Sequence, residues 1–198
     1  MEPRTIQTAS RAASVMNSLR AAAGSIRRAL PRGSLLSESA WERRHKAIVV
    51  LLWLHVGGLV AFTLLRGMGA WHAVIESLLM AVPALLASYP RLGRALRSCA
   101  ASFGLVTASA VLVHLSGGYI EAHFHFFVVL GILALYQDWA PFLVAIGYVV
   151  AHHAVVGVID PAAVFNHADA RVNPVLWSMI HGAFVLAASS VSLITWRD

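Results

Sequence analysis

The chain has 198 residues, 59% of them hydrophobic and 12% charged, with a formal net charge of +6. Soluble domains carry about 25% charged residues, so this composition excludes an ordinary water-soluble globule and points towards lipid. The single cysteine, Cys99, excludes an intramolecular disulfide and a cysteine-rich metal cluster.

Residues 1–39 form a basic amphipathic segment. Ala9, Ala12, Met16, Leu19, Ala23, Ile26 and Leu30 recur at helical spacing, Arg11, Arg20, Arg27 and Arg28 fall off that stripe, and Pro31 closes it. Such a helix suits an anionic membrane surface. A short dimer-forming coil, giving a homodimer, and an organellar transit peptide are the alternatives. Ser39 and Glu42 then have capping-box spacing, which starts the first membrane helix near Ala40, with Trp41, Arg43 and Arg44 as interface anchors.

Residues 40–198 supply six apolar stretches, at about 46–65, 71–88, 96–116, 120–137, 140–159 and 174–195. Each approaches the roughly 20 apolar residues needed to cross a bilayer. No strand-like alternation of useful length competes, so the fold class is an all-α membrane protein, a six-transmembrane-helix bundle. "SGGY" (116–119) and "QDWAP" (137–141) are tight turns, and "DPAAVFNHADARVN" (160–173) is the one long loop. There is no internal repeat and no pair of broken helices of the transporter kind.

Thirteen of the 15 Lys and Arg residues lie before residue 47, between the second and third helices (Arg91, Arg94, Arg97), or after the sixth (Arg197); only Arg66 and Arg171 fall in the alternate loops. This bias places both termini in the cytoplasm and the chain in a cytoplasmic (inner) membrane. The basic charge is thus a topology signal rather than a footprint for nucleic acid.

With that topology the histidines sort by depth. His72 opens the second helix and His114 closes the third, both on the outer side; His123 and His125 enter the fourth from outside. His152, His153 and His181 lie about two turns from the outer surface in the fifth and sixth helices. His55 is deepest, His167 is in the outer loop, and His45 belongs to the inner basic flank. Glu76 follows His72 by four residues and Glu121 precedes His125 by four, so each pair shares a helix face. His123 and His125 point to nearly opposite sides, which makes Glu121 with His125 the expected pairing. His123, with His114, Asn166 and His167, takes a supporting role.

Ionisable groups inside a membrane are costly and usually functional. His55, His72, Glu76, Glu121, His125, His152, His153 and His181 are therefore read as a metal layer, mononuclear or dinuclear. Imidazole and carboxylate together suit Cu, Fe or Zn. Haem b is the alternative, with Gly104, Gly131, Gly147, Gly157 and Gly182 as room for a porphyrin face, though it leaves both acids unused.

"GGYIEAHFHFFVVLGILALYQDW", followed by "VVAHHAVVGV", "FNH" and "IHGAFVLAAS", resembles the six-helix N-terminal membrane input domain of bacterial signalling proteins. There it precedes diguanylate cyclase, chemoreceptor or histidine-kinase output modules. The resemblance covers residues 40–198 and is strongest over 114–190. It singles out Glu121, His123, His125, Gln137, Asp138, Trp139, His152, His153, Asn166, His167 and His181. It implies a sensory role, with a cytoplasmic output module or partner protein, and does not specify a cofactor. No output module follows the sixth helix within these 198 residues, so a truncated chain or a stand-alone member acting through a partner is expected. A membrane metalloenzyme of oxidase or hydroxylase type would use the same residues but needs an open coordination position. A carrier would need polar groups through the inner half, where Gln137, Asp138 and Trp139 form only a turn.

Overall fold

The structure is a computed structural model that describes residues 15–22, 24–25, 30–33 and 36–196. Among these the regular structure is helical, with no strand. Six helices form the body: α1 (Glu38–Leu65), α2 (Ala70–Ser88), α3 (Arg94–Ser116), α4 (Ile120–Ala134), α5 (Trp139–Ile159) and α6 (Pro174–Ile194). All but α4 are long and apolar enough to cross a membrane. With 15 residues α4 spans only about 22 Å at 1.5 Å per residue.

The sequence places the end of the fourth helix at 137, and the structure ends it at Ala134. The backbone N–H groups of Leu135, Tyr136 and Gln137 donate to carbonyls three residues back, which tightens the last turn until Gln137 reaches a φ of 49°. Arg44 of α1 donates to the Leu135 carbonyl at 2.6 Å, so an anchor of the first helix caps the fourth. The start of α1 also differs from expectation. Ser37, not Ser39, is the cap, its hydroxyl accepting from the Ala40 N–H.

The centre of the bundle is α3, whose most apolar window is 78% buried, against 11% for α6. Its sequence, RALRSCAASFGLVTASAVLVHLS, is dense in Ala, Ser and Gly. Small residues let helices approach closely where lipid offers no hydrophobic drive to association. At Gly104 a methyl group would meet Leu52 of α1 at 2.8 Å and Pro83 of α2 at 3.3 Å. Helices α1, α2 and α3 pack on one another; α4 and α5 add to α3, and α6 closes against α4 and α5. The exposed faces carry Leu54, Leu78, Leu143, Met179 and Phe184, a surface suited to acyl chains.

The two ends of the bundle differ in chemistry. At the arginine end, Trp41 stacks on His45 and lies beneath the guanidinium groups of Arg94 and Arg97. His45 bridges Tyr136 at 2.7 Å and the Ala87 carbonyl at 2.9 Å. A carbonyl only accepts, so His45 donates from Nε2 and the Tyr136 hydroxyl donates to Nδ1. Trp139 donates to the Pro31 carbonyl, and its ring fills the space beside Gly33, which ties residues 30–33 to the α4–α5 turn. Asp138 caps α5 by accepting from Ala140, and Gln137 reaches the Thr195 carbonyl. Of the N-terminal stripe, Met16 and Leu19 are exposed on a helical segment; Ala9, Ala12, Ala23, Ile26, Arg11, Arg27 and Arg28 lie outside the described residues.

At the loop end, residues 160–173 contain two short helices, Pro161–Val164 and Ala168–Val172, capped by Asp160 and His167. Val164 and Phe165 are buried against the α3–α4 turn. Gly118 makes that possible: its φ is +78°, and a methyl group there would lie 2.9 Å from the Phe165 backbone.

Candidate functional site

Apart from Glu121, which is exposed, the ionisable groups expected in one layer fall into three groups, each held by a different set of helices.

The first joins α1, α2 and α3 at the loop end. His72 Nε2 donates to Glu76 Oε1 at 3.0 Å, and the Thr63 hydroxyl lies 2.9 Å from Oε2. His114, in the last turn of α3, stacks on His72 with ring centres 5.7 Å apart. One ligand atom from each of His72, Glu76 and His114 lies within 4.8 Å of the others. The i, i+4 pair is thus formed as its spacing requires, and His114 stands beside it as a third donor. Glu76 is buried while His72 and His114 are accessible, so the set opens towards the loop end. Two imidazoles and one carboxylate suit a divalent transition metal such as zinc.

The second group links α1, α3 and α4. His55 Nε2 lies 3.0 Å from His125 Nε2, and His125 Nδ1 lies 2.8 Å from the Ser109 hydroxyl. The Leu51 carbonyl, 2.8 Å from His55 Nδ1, fixes every proton in the chain. It can only accept, so His55 carries its proton on Nδ1 and presents a lone pair at Nε2. His125 must then donate from Nε2 and accept from Ser109 at Nδ1. Both imidazoles are satisfied, and neither keeps a lone pair for a metal.

The third group gathers α4, α5 and α6. The ring centres of His123, His153 and His181 form a near-equilateral triangle with sides of 5.5, 5.3 and 5.4 Å. Each Nδ1 faces the carbonyl four residues back: Tyr119 at 3.0 Å, Val149 at 2.9 Å and Trp177 at 2.8 Å. Phe165 of the long loop packs on all three rings. His152 packs against His153, Phe126 and Tyr148. An apolar groove of about 390 Å³ between α5 and α6 reaches His153. A second groove, of about 240 Å³ between α4 and α6, reaches His123 and His181.

His153 is placed by a local irregularity. Residues His152–Val156 form a π-helical turn within α5. Such turns widen the helix by one residue and are frequent at functional sites. Ser178 of α6 donates to the His153 carbonyl at 2.7 Å. At Gly157 a methyl group would meet Phe165 at 3.1 Å and Ser178 at 3.3 Å, so α6 and the loop come close there.

The expected pairing of Glu121 with His125 is not formed. Glu121 is exposed, whereas His125 turns inward to His55 and Ser109. His123, assigned a supporting role from sequence, is buried at the three-ring centre. His123 and His125 do face different helices, as their two-residue spacing requires. His167 accepts from the Ala170 N–H and packs edge-on against Trp177, and Asn166 donates its backbone N–H to Gly118. Of the glycines read as porphyrin room, Gly104 and Gly157 are filled by neighbours, while Gly131, Gly147 and Gly182 have open space. Sequence reasoning missed Thr63, Ser109, Ser178 and Phe165. Nothing in their spacing marks them, because each reaches its histidine group from another helix or loop.

No family model and no solved structure matches the chain. It is similar to the transducer protein Htr8 of Halobacterium salinarum, with 40% identity over 178 residues. The match covers 84% of this chain and 28% of the transducer, so the chain spans little more than a quarter of that relative's length.

Proposed function

We propose that this chain is the membrane input domain of a signalling system, and that a divalent transition metal bound at His72, Glu76 and His114 is what it senses. The observation that carries the signalling reading is the 40% identity to a transducer protein over most of this chain. The location of the site rests on the one described group whose three ligand atoms already lie within 4.8 Å of one another. The distribution of Lys and Arg supports six crossings with both termini cytoplasmic, which turns the His72 site outward.

Signalling needs two states that bind the ion with different affinity. The site spans α2 and α3, with Thr63 of α1 behind Glu76, so an ion would draw three helices together at their outer ends. Helix α3 lies against α4 and α5, and α6 closes on both. The exit is α6, which runs from the loop end to Ile194 and is followed by Trp196, itself buried against Trp139 and Phe142. A cytoplasmic output module or partner protein would read a shift of α6 at that end.

Fusing residues 1–198 to a cytoplasmic output module and titrating zinc outside the cell tests the reading. A graded output is expected, abolished by Glu76→Gln and by His114→Ala in variants that still reach the membrane. Output that ignores zinc, or that responds equally in both variants, refutes it.

A further inference from the structure

We infer that His123, His153 and His181 form a second, buried metal site, separate from the His72 group, and that its ion is copper(I).

The protons come first. Each of the three Nδ1 atoms lies 2.8–3.0 Å from a backbone carbonyl of its own helix. A carbonyl cannot donate, so each neutral ring holds its proton at Nδ1 and leaves a lone pair at Nε2. Metal-ligating histidines are commonly held in this way, with one nitrogen donating to a carbonyl so that the other is fixed as the ligand. On each of the three helices the same bond fixes the tautomer.

Two of those lone pairs are unanswered, as is Nδ1 of the adjacent His152. His123 Nε2 and His153 Nε2 are buried without a hydrogen-bond partner, and each residue is only 3% exposed. Burying a polar atom unpaired costs about 1–3 kcal/mol, and native structures rarely tolerate it without a reason. Two such atoms on neighbouring rings call for an electrophile. By contrast, the His55–His125 pair is closed by Leu51 and Ser109.

The spacing fits a single ion. A metal about 2.0–2.1 Å from each Nε2, at trigonal to tetrahedral angles, sets imidazole centres roughly 5.2–5.5 Å apart. The observed sides are 5.3, 5.4 and 5.5 Å. Among the described residues, three ligand atoms within 4.8 Å of one another occur only at His72, Glu76 and His114. The ring centres here are therefore in place while the Nε2 atoms do not yet converge, and binding an ion requires the rings to turn by no more than the Nδ1–carbonyl bonds tolerate. The π turn at His152–Val156 and the Ser178 contact to the His153 carbonyl hold the backbone that carries the α5 ring.

Charge selects the ion. An imidazole that ligates through its lone pair brings no charge, and among the described residues no ion pair or hydrogen bond joins these three rings to a carboxylate; their other ring contacts are Phe126, Phe165 and His152. The penalty for burying an ion rises with the square of its charge, so a monovalent ion costs about a quarter of a divalent one. Imidazole binds copper and zinc alike. The uncompensated site therefore favours Cu(I), whereas the carboxylate of Glu76 suits the His72 group to a divalent ion.

The test uses the full chain purified in detergent and Cu(I) supplied under ascorbate against a chromophoric Cu(I) chelator. One equivalent is expected to resist the chelator. His123→Gln, His153→Gln and His181→Gln should each weaken retention at least tenfold, while Glu121→Gln, at an exposed residue outside all three groups, retains copper as the parent does. Copper K-edge absorption of the unmodified protein gives a readout free of any folding defect: nitrogen donors with the outer-shell scattering of imidazole are expected. Sulfur scattering, from Cys99 or methionine, overturns the assignment. So does retention of zinc but not copper by the three histidines, or a failure to outcompete the chelator. None of these outcomes bears on the zinc-dependent output of the fusion protein, so the two proposals fail separately.

Discussion

His45 shows how a single side chain can hold the bundle without any part in ligand chemistry. It is 2% exposed, stacks on Trp41, and bonds to Tyr136 and Ala87 from both ring nitrogens. His45→Ala removes both bonds and the ring stacked on Trp41, leaving Tyr136 with Ser98 alone and the Ala87 carbonyl with Arg97 alone, a loss of about 2–4 kcal/mol. A lowered midpoint for thermal unfolding in detergent, with metal binding unchanged at the remaining temperatures, is the expected result. His55 and His125 behave as a pair in the same sense. Their single alanine variants and the double variant should give a coupling energy of about 0.5–2 kcal/mol. A cycle that closes to zero would mean that the proton order from Leu51 to Ser109 is not maintained.

Among the elements, the 160–173 loop and the π turn carry the largest consequences. The loop is held by Phe165 against Gly118, by the Asn166 N–H to the Gly118 carbonyl, and by Arg171 to the Phe165 carbonyl. Gly118→Ala must place a methyl group 2.9 Å from backbone atoms at a φ of +78°. The cost is about 1–3 kcal/mol, concentrated on the loop. Faster amide hydrogen exchange over residues 160–172, with α2 unchanged, would show it. Ser178→Ala tests the π turn: it leaves the His153 carbonyl without its partner from α6 and should cost about 1 kcal/mol. The accompanying signature is weaker copper retention, because the α5 ring is no longer steadied.

For the whole molecule, the decisive quantity is which end faces out. In a Cys99→Ser background, Asp169→Cys is expected to react with a membrane-impermeant thiol reagent in intact cells. Arg91→Cys should react only after permeabilisation. The reverse pattern would turn the His72 site to the cytoplasm and end the outward-sensing reading. The distribution of burial accords with a bilayer around the bundle: α3 is enclosed, while α6 leaves a broad apolar face open. Because α6 touches the three-histidine centre at its loop-proximal half and Trp139 at its far end, it is the element on which events at either end of the molecule converge.

The sequence by itself determined the helical class, the approximate place of all six helices and the clustering of histidines towards one end. Each of these follows from local facts: apolar length, turn residues and position along a helix. It also determined that His72 meets Glu76 and that His123 and His125 diverge, since both are properties of one helix. Only the tertiary structure decided which helices share a polar group. Glu121 and His125 have the right spacing for a pair, yet the rotation of α4 against α1 and α3 turns His125 inward and leaves Glu121 exposed. His123 looked peripheral for the same reason. Its partners come from α5 and α6, and the π turn that sets His153 has no signature in "VVAHHAVVGV". Helix rotation and a local change of helical period depend on what packs from outside the segment, and that information is not contained in the segment.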